Sequence, residues 1–410
     1  MSPAPVGGSF TPHPRTPAGH DALALVASVA DIVRKEAAEA DEAGVFAAAA
    51  VERLRGAGVF AVNAPREFGG TGLTSLHDTC LVVRELARIN GSIGIGASMH
   101  LALTCYFARQ LAHPGTADLE HRRGWMRRIG AREMVLASAV AEPGREAWRV
   151  AAEARRSGDG WSVTGTKILV SLSPGATHLY TRVRTPGEDG YAMATAMIDV
   201  RTAGVTVHDD WSGLGLRCSG SGRVVLDDVR LPAADVRIGG SWGAPDPGDF
   251  AGRAAASIPI VAAYAGMAAA AYDVARDRFT TGAADPGSRW SAAAVRTAYA
   301  ELTVAMAQVN AVLGAAAERV DEAFRSTAPR GAGDGAGRDL LADCLIAALA
   351  VERSAGAVVD RAMEICGGAS YGAASELGRV YRDVKAAAFM RPYSPPERWA
   401  DFLADTGAAR

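Results

Sequence analysis

The chain lacks a cysteine framework. Its five cysteines, Cys80, Cys105, Cys218, Cys344 and Cys366, are odd in number, widely spaced and form no C-x-x-C. That excludes a disulfide scaffold and a thiolate zinc site, and predicts a reducing, cytoplasmic setting. The eight histidines show no helical metal-binding pair, so no metal centre is expected. Lysine is almost absent: it occurs at Lys35, Lys167 and Lys385, while the other 40 of 43 basic residues are arginines, a coding bias without chemical content. A large charge of either sign is also missing, with a formal net charge of −2. The chain therefore has no basic surplus for nucleic acid or an anionic membrane. Long apolar runs are absent too. The longest, Ile258 to Ala270, is too short for about 30 Å of hydrocarbon and is followed by Asp273 and Arg276. It predicts a buried helix of a bundle. Residues 1–20, rich in Pro and Gly without an apolar core, predict a disordered tail rather than a signal peptide.

What is present divides into three zones. Apolar residues amount to 49% of the 410, enough for a large core. Residues 21–132 carry apolar side chains at helical spacing, as in Leu81, Val82 and Leu86. Residues 133–240 change to a period of two, in Trp161 to Gly165 and Arg223 to Leu226, with turn signals at Ser157-Gly158-Asp159-Gly160 and Ser219-Gly220-Ser221-Gly222. Residues 241–410 return to the helical period. The expected organisation is α+β: an N-terminal helical domain, a central β-barrel or sandwich, and a C-terminal helical domain.

Motifs follow the same order along the chain. The first zone holds Pro65-Arg66-Glu67-Phe68-Gly69-Gly70-Thr71-Gly72 and Glu85-Leu86-Ala87-Arg88. The second holds Glu142-Pro143-Gly144, Gly165-Thr166-Lys167, Gly215-Leu216-Arg217 and Asp227 to Pro232. The third holds Arg276 with Phe279, Ile365-Cys366-Gly367-Gly368 with Tyr371, and Tyr381-Arg382-Asp383. Each is weak alone. In this order, over Asp31 to Pro392, the set resembles the acyl-CoA dehydrogenase superfamily. The resemblance implies an acyl-CoA dehydrogenase-like fold whose C-terminal domain is a four-helix bundle, and a flavin enzyme, FAD-dependent with FMN as the alternative, assembled as a homotetramer or homodimer.

Residue chemistry agrees with that resemblance. Gly367-Gly368 lies between helical segments, where glycine admits close approach of a pyrophosphate or simply ends a helix. Arg276 suits a phosphate, or is a solvated helix charge. By resemblance, Arg276 and Phe279 meet the flavin of a neighbouring subunit, and Glu364 stands where Gln is usual. By resemblance also, Val140 and Ala141 bind the cofactor. Leu169 replaces an aromatic shield of the ring. Ser171, in Lys167-Ile168-Leu169-Val170-Ser171, places a hydroxyl at its N5 edge. On its own Ser171 reads equally as a strand-face serine. His100 lies in the apolar context Met99-His100-Leu101, and is either a satisfied core residue or part of the active-site lining, as in the flavin monooxygenases of this fold.

The departures decide the chemistry. Desaturation of an acyl thioester needs a carboxylate to remove the α-proton. The two family positions for that base are Arg391 and Ala256 here, and neither is a general base. The turn Arg217-Cys218-Ser219-Gly220-Ser221-Gly222 is instead similar to the monooxygenase branch. The expected function is a tailoring oxidation or monooxygenation of a bulky metabolite in secondary metabolism, with a separate flavin reductase or electron-transfer partner. The alternative is a dehydrogenase of acyl-CoA or an acyl-carrier thioester that draws its base from elsewhere, with Glu397 the first candidate. A non-enzymatic binding role is the third reading.

Overall fold

The computed structural model describes residues 10–111, 119–188, 190–243, 250–283, 285, 287–325, 335–390 and 397–408. The N-terminal domain comprises α1 (Pro17–Ala43), α2 (Ala48–Ala57), α3 (Leu76–Ile89), α4 (Gly91–Leu111) and α5 (Leu119–Gly130). Local chemistry sets their ends. The Thr16 hydroxyl accepts from Gly19 N–H, Pro17 opens α1, and left-handed Gly44 closes it. Ser75 caps α3, and Asn90 Oδ1 accepts from Ser92 N at 2.9 Å to start α4. The tail expected over residues 1–20 is therefore too long. Asp78, buried in α3, accepts from the backbone N–H groups of Arg15 and Thr16 and from the Thr16 hydroxyl, which docks the chain from Arg15 onward. Residues 1–9 lie outside the described ones.

The central domain is one eight-stranded mixed sheet that closes one face around its own core. Its strands are β1 (Leu136–Ala139), β2 (Glu153–Ser157), β3 (Gly160–Lys167), β4 (His178–Gly187), β5 (Gly190–Asp199), β6 (Val205–Val207), β7 (Val224–Leu231) and β8 (Val236–Ser241). The order is β6-β7-β3-β2-β4-β5-β8, and β1 pairs with β4 in parallel. The period of two separates the faces. Ala137, Ala139, Leu179, Val183, Ala194 and Ala196 fill the sheet's own core. Leu136 and Met197, on the other face, meet Phe107 of α4 and Met126 of α5. Tyr180 and Arg182 of β4 continue that second face.

The C-terminal domain contains α6 (Phe250–Gly282), α7 (Ala293–Arg325), α8 (Ala336–Cys366) and α9 (Glu376–Val384), followed by α10 (Glu397–Ala408). Helices α6 and α7 are both long and apolar enough to cross a bilayer, but 89% of the apolar stretch of α6 is inside the protein. That stretch is the buried bundle helix predicted for Ile258 to Ala270. It crosses α3 closely: a Cβ on Gly266 would lie 2.2 Å from the Arg84 carbonyl oxygen. Asp321 of α7 ties the two helical domains together. It accepts from Leu76 N at 2.8 Å and His77 N at 3.1 Å, and pairs with Arg109.

Candidate active site

Strand β1 runs into Val140 and Ala141, and β3 runs into Ile168, whose N–H donates to the Ala141 carbonyl at 3.0 Å. Beneath this junction lies a buried ion pair. Lys167 Nζ is 2.6 Å from Glu142 Oε1 and donates to the Arg182 carbonyl at 2.6 Å. Glu142 also accepts from Ala152 N at 3.0 Å. Burial presses the Lys167 pKa downward and Glu142 opposes that shift.

The next segment is strained. Leu169 and Leu172 have φ of 55° and 69°, and Leu216 has 53°. Leucine in this region costs of order 1–3 kcal/mol, so surrounding structure must hold it there. It does: Val170 N donates to the Gly222 carbonyl at 3.1 Å, and Leu172 N to the Ser219 carbonyl at 2.9 Å. The result is a Leu169 side chain 51% exposed on an open face, with buried Ser171 next to it. An apolar platform flanked by a hydroxyl and by the Val140-Ala141 strand end fits the edge of an isoalloxazine ring.

Arg276 pairs with Asp273 and Asp277, both at 2.9 Å, and is partly exposed. Phe279 stacks on Tyr299 at 4.3 Å between centroids. Glu364 is exposed and bonds Arg361 at 2.6 Å. Gly367 closes α8 with φ of 75°, and Gly368 follows in an open position. A Cβ on Gly367 would lie 2.6 Å from Arg289 Nη1, so a guanidinium covers this glycine. Ala256 is exposed on α6. Arg391 and the side chain of Glu397 lie outside the described residues. Among the described residues no cluster suits a metal ion.

His100 is placed as a core residue, without exposed surface. Its Nδ1 accepts from Leu136 N at 3.0 Å and its Nε2 donates to the Phe60 carbonyl at 2.7 Å, so it links the N-terminal helices to β1. These partners demand the neutral ring, and burial lowers its pKa to about 4. With both nitrogens committed it has none left for a substrate, which corrects the active-site expectation. His178, buried in β4, is likewise lowered to about 4 by burial and by Arg128.

A titration prediction follows from these two rings. The unfolded histidines protonate near pH 6.5 and the folded ones near 4, so each ring's contribution is complete above 6.5 and is lost as pH falls toward 4. Asp383, raised by burial to about 7, acts with the opposite sign over the same window. The difference between the wild type and His100→Gln isolates one ring. Urea unfolding at pH 7.5, 6 and 5 should show the wild type losing up to about 1.4 kcal/mol per pH unit more than the variant. Parallel profiles would show that His100 titrates normally.

On the outer face of the sheet, against α4 and α5, lies a cleft of about 390 Å³. Tyr106 and Gln110 of α4 and Arg122 and Trp125 of α5 form one wall. Tyr180 and Arg182 of β4, Thr195 of β5 and Arg237 of β8 form the other, and Trp148 with Arg253 of α6 completes it. Tyr180 pairs with Ser138, and Val140 is two residues further along the same face. Among the described residues the lining holds four arginines, Arg122, Arg182, Arg237 and Arg253. Sequence reasoning missed this cleft. The alternation of Tyr180, Arg182 and Arg184 with Leu179 and Val183 marks an outward polar face, but the helices opposite it are set by packing.

The acyl-CoA dehydrogenase N-terminal domain family matches residues 20–132, and the C-terminal domain family matches residues 255–391. The L-evernosamine nitrososynthase of a Micromonospora species is 32% identical over 93% of this chain and 88% of its own length. The amino sugar nitrososynthase RubN8 of Streptomyces rubradiris is 33% identical over 96% and 90%. A solved structure of KijD3, in complex with FMN and dTDP-3-amino-2,3,6-trideoxy-4-keto-3-methyl-D-glucose, is 30% identical with a TM-score of 0.89, covering 97% of this chain and 95% of that one. Platform, missing base and relatives agree: the chain belongs to the acyl-CoA dehydrogenase superfamily, in its flavin monooxygenase branch, and is a flavin-dependent oxidoreductase.

Proposed function

We propose that this enzyme is an FMN-dependent monooxygenase that oxidises the amino group of a nucleotide-linked sugar, as a tailoring step in secondary metabolism. The observation that carries this reading is the arginine- and aromatic-lined cleft on the outer face of the sheet. Four arginines suit a diphosphate, and Tyr106, Trp125, Trp148 and Tyr180 suit a base and sugar. Coenzyme A also carries a nucleotide diphosphate, so the cleft alone does not separate the two substrate classes. The base positions do: Ala256 cannot remove an α-proton, whereas an amine brings its own nucleophilic nitrogen.

The relatives named nitrososynthases and the KijD3 complex support both the amine and the cofactor. FMN is further supported by Arg289, which covers Gly367 where the adenosine half of FAD would approach. When bound, reduced FMN supplies two electrons to O2, so that one oxygen atom joins the amine nitrogen and the other leaves as water. Val140, Ala141 and Leu169 border the ring, and the Ser171 hydroxyl faces its N5 edge. The arginines hold the diphosphate and orient the amine. A separate reductase supplies the electrons. Arg276 and Phe279 reach the flavin of a second subunit in a homodimer or homotetramer. Five free thiols, four of them buried, are compatible with a cytoplasmic setting.

The test combines the enzyme with FMN, a flavin reductase, O2 and a dTDP-linked amino sugar. The product should gain one oxygen atom on nitrogen by mass spectrometry. Arg182→Met and Arg237→Met should each weaken dTDP binding roughly 10–100-fold by calorimetry, the loss of a charge-assisted contact. Equal turnover of the free amino sugar, or unchanged dTDP affinity in both variants, would sink the nucleotide reading.

A further inference from the structure

The Ser171 hydroxyl does not stand alone. Its Oγ is 2.8 Å from Ser221 Oγ, which is 2.6 Å from Ser219 Oγ. The three side chains are 2%, 5% and 2% exposed. Among the described residues these hydroxyls make no other hydrogen bond. The backbone holds them in register, because Leu172 N binds the Ser219 carbonyl and Val170 N binds the Gly222 carbonyl. At the far end, Ser219 borders a small cavity of about 10 Å³ lined also by Ser92, Cys218, Leu172 and apolar side chains that include Phe60 and Ile93. The Ser92 Oγ is buried, with the Cys218 thiol as its neighbour. Most of the lining is apolar, and a water there would bridge the Ser219 and Ser92 hydroxyls, the two polar partners it needs at minimum.

A hydroxyl donates once and accepts twice, so a row of three can point either way with the same two internal bonds. Pointing from Ser219 to Ser171, the row leaves the Ser171 proton free for an acceptor at its open end. Pointing from Ser171 to Ser219, it lets Ser171 accept a donor and passes the last proton to the water. A flavin presents both faces of this problem: N5 is a bare acceptor when oxidised and an N–H donor when reduced. We propose that Ser171, Ser221 and Ser219 form a reversible hydrogen-bond chain that reverses direction with the flavin's redox state, and that Ser221 and Ser219 are positioning residues acting through Ser171. This rests on the reading above that Ser171 faces N5.

The two states respond differently to a break in the chain. In Ser221→Ala, Ser171 still donates to oxidised N5 and loses only an accepted bond. Toward reduced N5–H it must accept, and its own proton is then buried without an acceptor, the costlier fault. The affinity of the holoenzyme for reduced FMN should fall roughly tenfold relative to oxidised FMN. By linkage, that lowers the two-electron potential by about 30 mV, since tenfold in the constant is about 30 mV for this couple. Ser221→Thr, which keeps the hydroxyl, should restore the ratio, and Ser219→Ala should give a smaller shift of the same sign.

The measurements are binding titrations with FMN in air and with FMNH2 under anaerobic conditions, together with the potential of the bound flavin. If Ser171→Ala changes neither affinity, Ser171 does not face the flavin and both readings fall. If Ser171→Ala changes the ratio while Ser221→Ala and Ser219→Ala leave it at the wild-type value, or weaken both forms equally, the chain is structural: the proposal falls and the Ser171 reading stands. Should Ser221→Ala not fold, Ser219→Ala and Ser221→Thr decide the same question.

Discussion

Straight-chain acyl-CoA should leave the oxidised flavin of this enzyme unbleached under anaerobic conditions. A missing general base loses about 10²–10⁴-fold in rate, and both family positions lack one. Ala256 lies exposed on α6 within the buried half of the bundle, and Arg391 stands at the other position. An arginine there stays protonated throughout the working pH range. Ala256→Glu places a carboxylate on a rigid helix, and its open position admits the larger side chain. That variant, with an artificial electron acceptor, should gain measurable acyl-CoA oxidation, while oxygenation of an amine should not need the new acid. Wild-type oxidation of such thioesters at roughly 1–10³ s⁻¹, ordinary for enzymes, would overturn the argument and make Glu397 the next residue to replace.

Lys167→Met should cost about 3–5 kcal/mol of stability, the usual penalty for removing one partner of a buried ion pair. Lys167 is 0% exposed and donates to both Glu142 and the Arg182 carbonyl. Removing it leaves a carboxylate buried against Ala151 and Ala152 N–H groups with no cation. The damage reaches the site, because Glu142 follows Val140-Ala141 and Lys167 precedes the strained Ile168-to-Ser171 segment. Flavin affinity should therefore fall together with stability. Pairing Lys167→Met with Glu142→Leu removes both charges, and that double variant should recover most of the loss, as buried pairs replaced by apolar groups often do. Urea midpoints of the three proteins check this. A single variant within 1 kcal/mol of the wild type would show that water reaches the pair.

Much of this protein is legible one segment at a time. The helical period of Leu81, Val82 and Leu86 marks α3, and the apolar stretch from Ile258 marks α6, because burial of one helix face or of a whole helix is written into residue spacing. Alternation in Trp161 to Gly165 marks β3 for the same reason at a period of two. The docking of Arg15 and Thr16 is not legible in a Pro- and Gly-rich stretch, because the anchor that holds them is Asp78, more than sixty positions away.

The sequence by itself determined the three-zone order, the superfamily and the absent base, since each depends on residue identity at a fixed place along the chain. Tertiary structure alone decided what His100 does: its two partners, Phe60 and Leu136, are backbone groups 40 and 36 residues away. It alone built the arginine cleft from α4, α5, β4, β5, β8 and α6. It also brought Ser171 to Ser221 across 50 residues. Spacing along a chain encodes which face an element buries. Which faces then meet is settled by packing between elements, and the cleft and the serine chain exist only at those meetings.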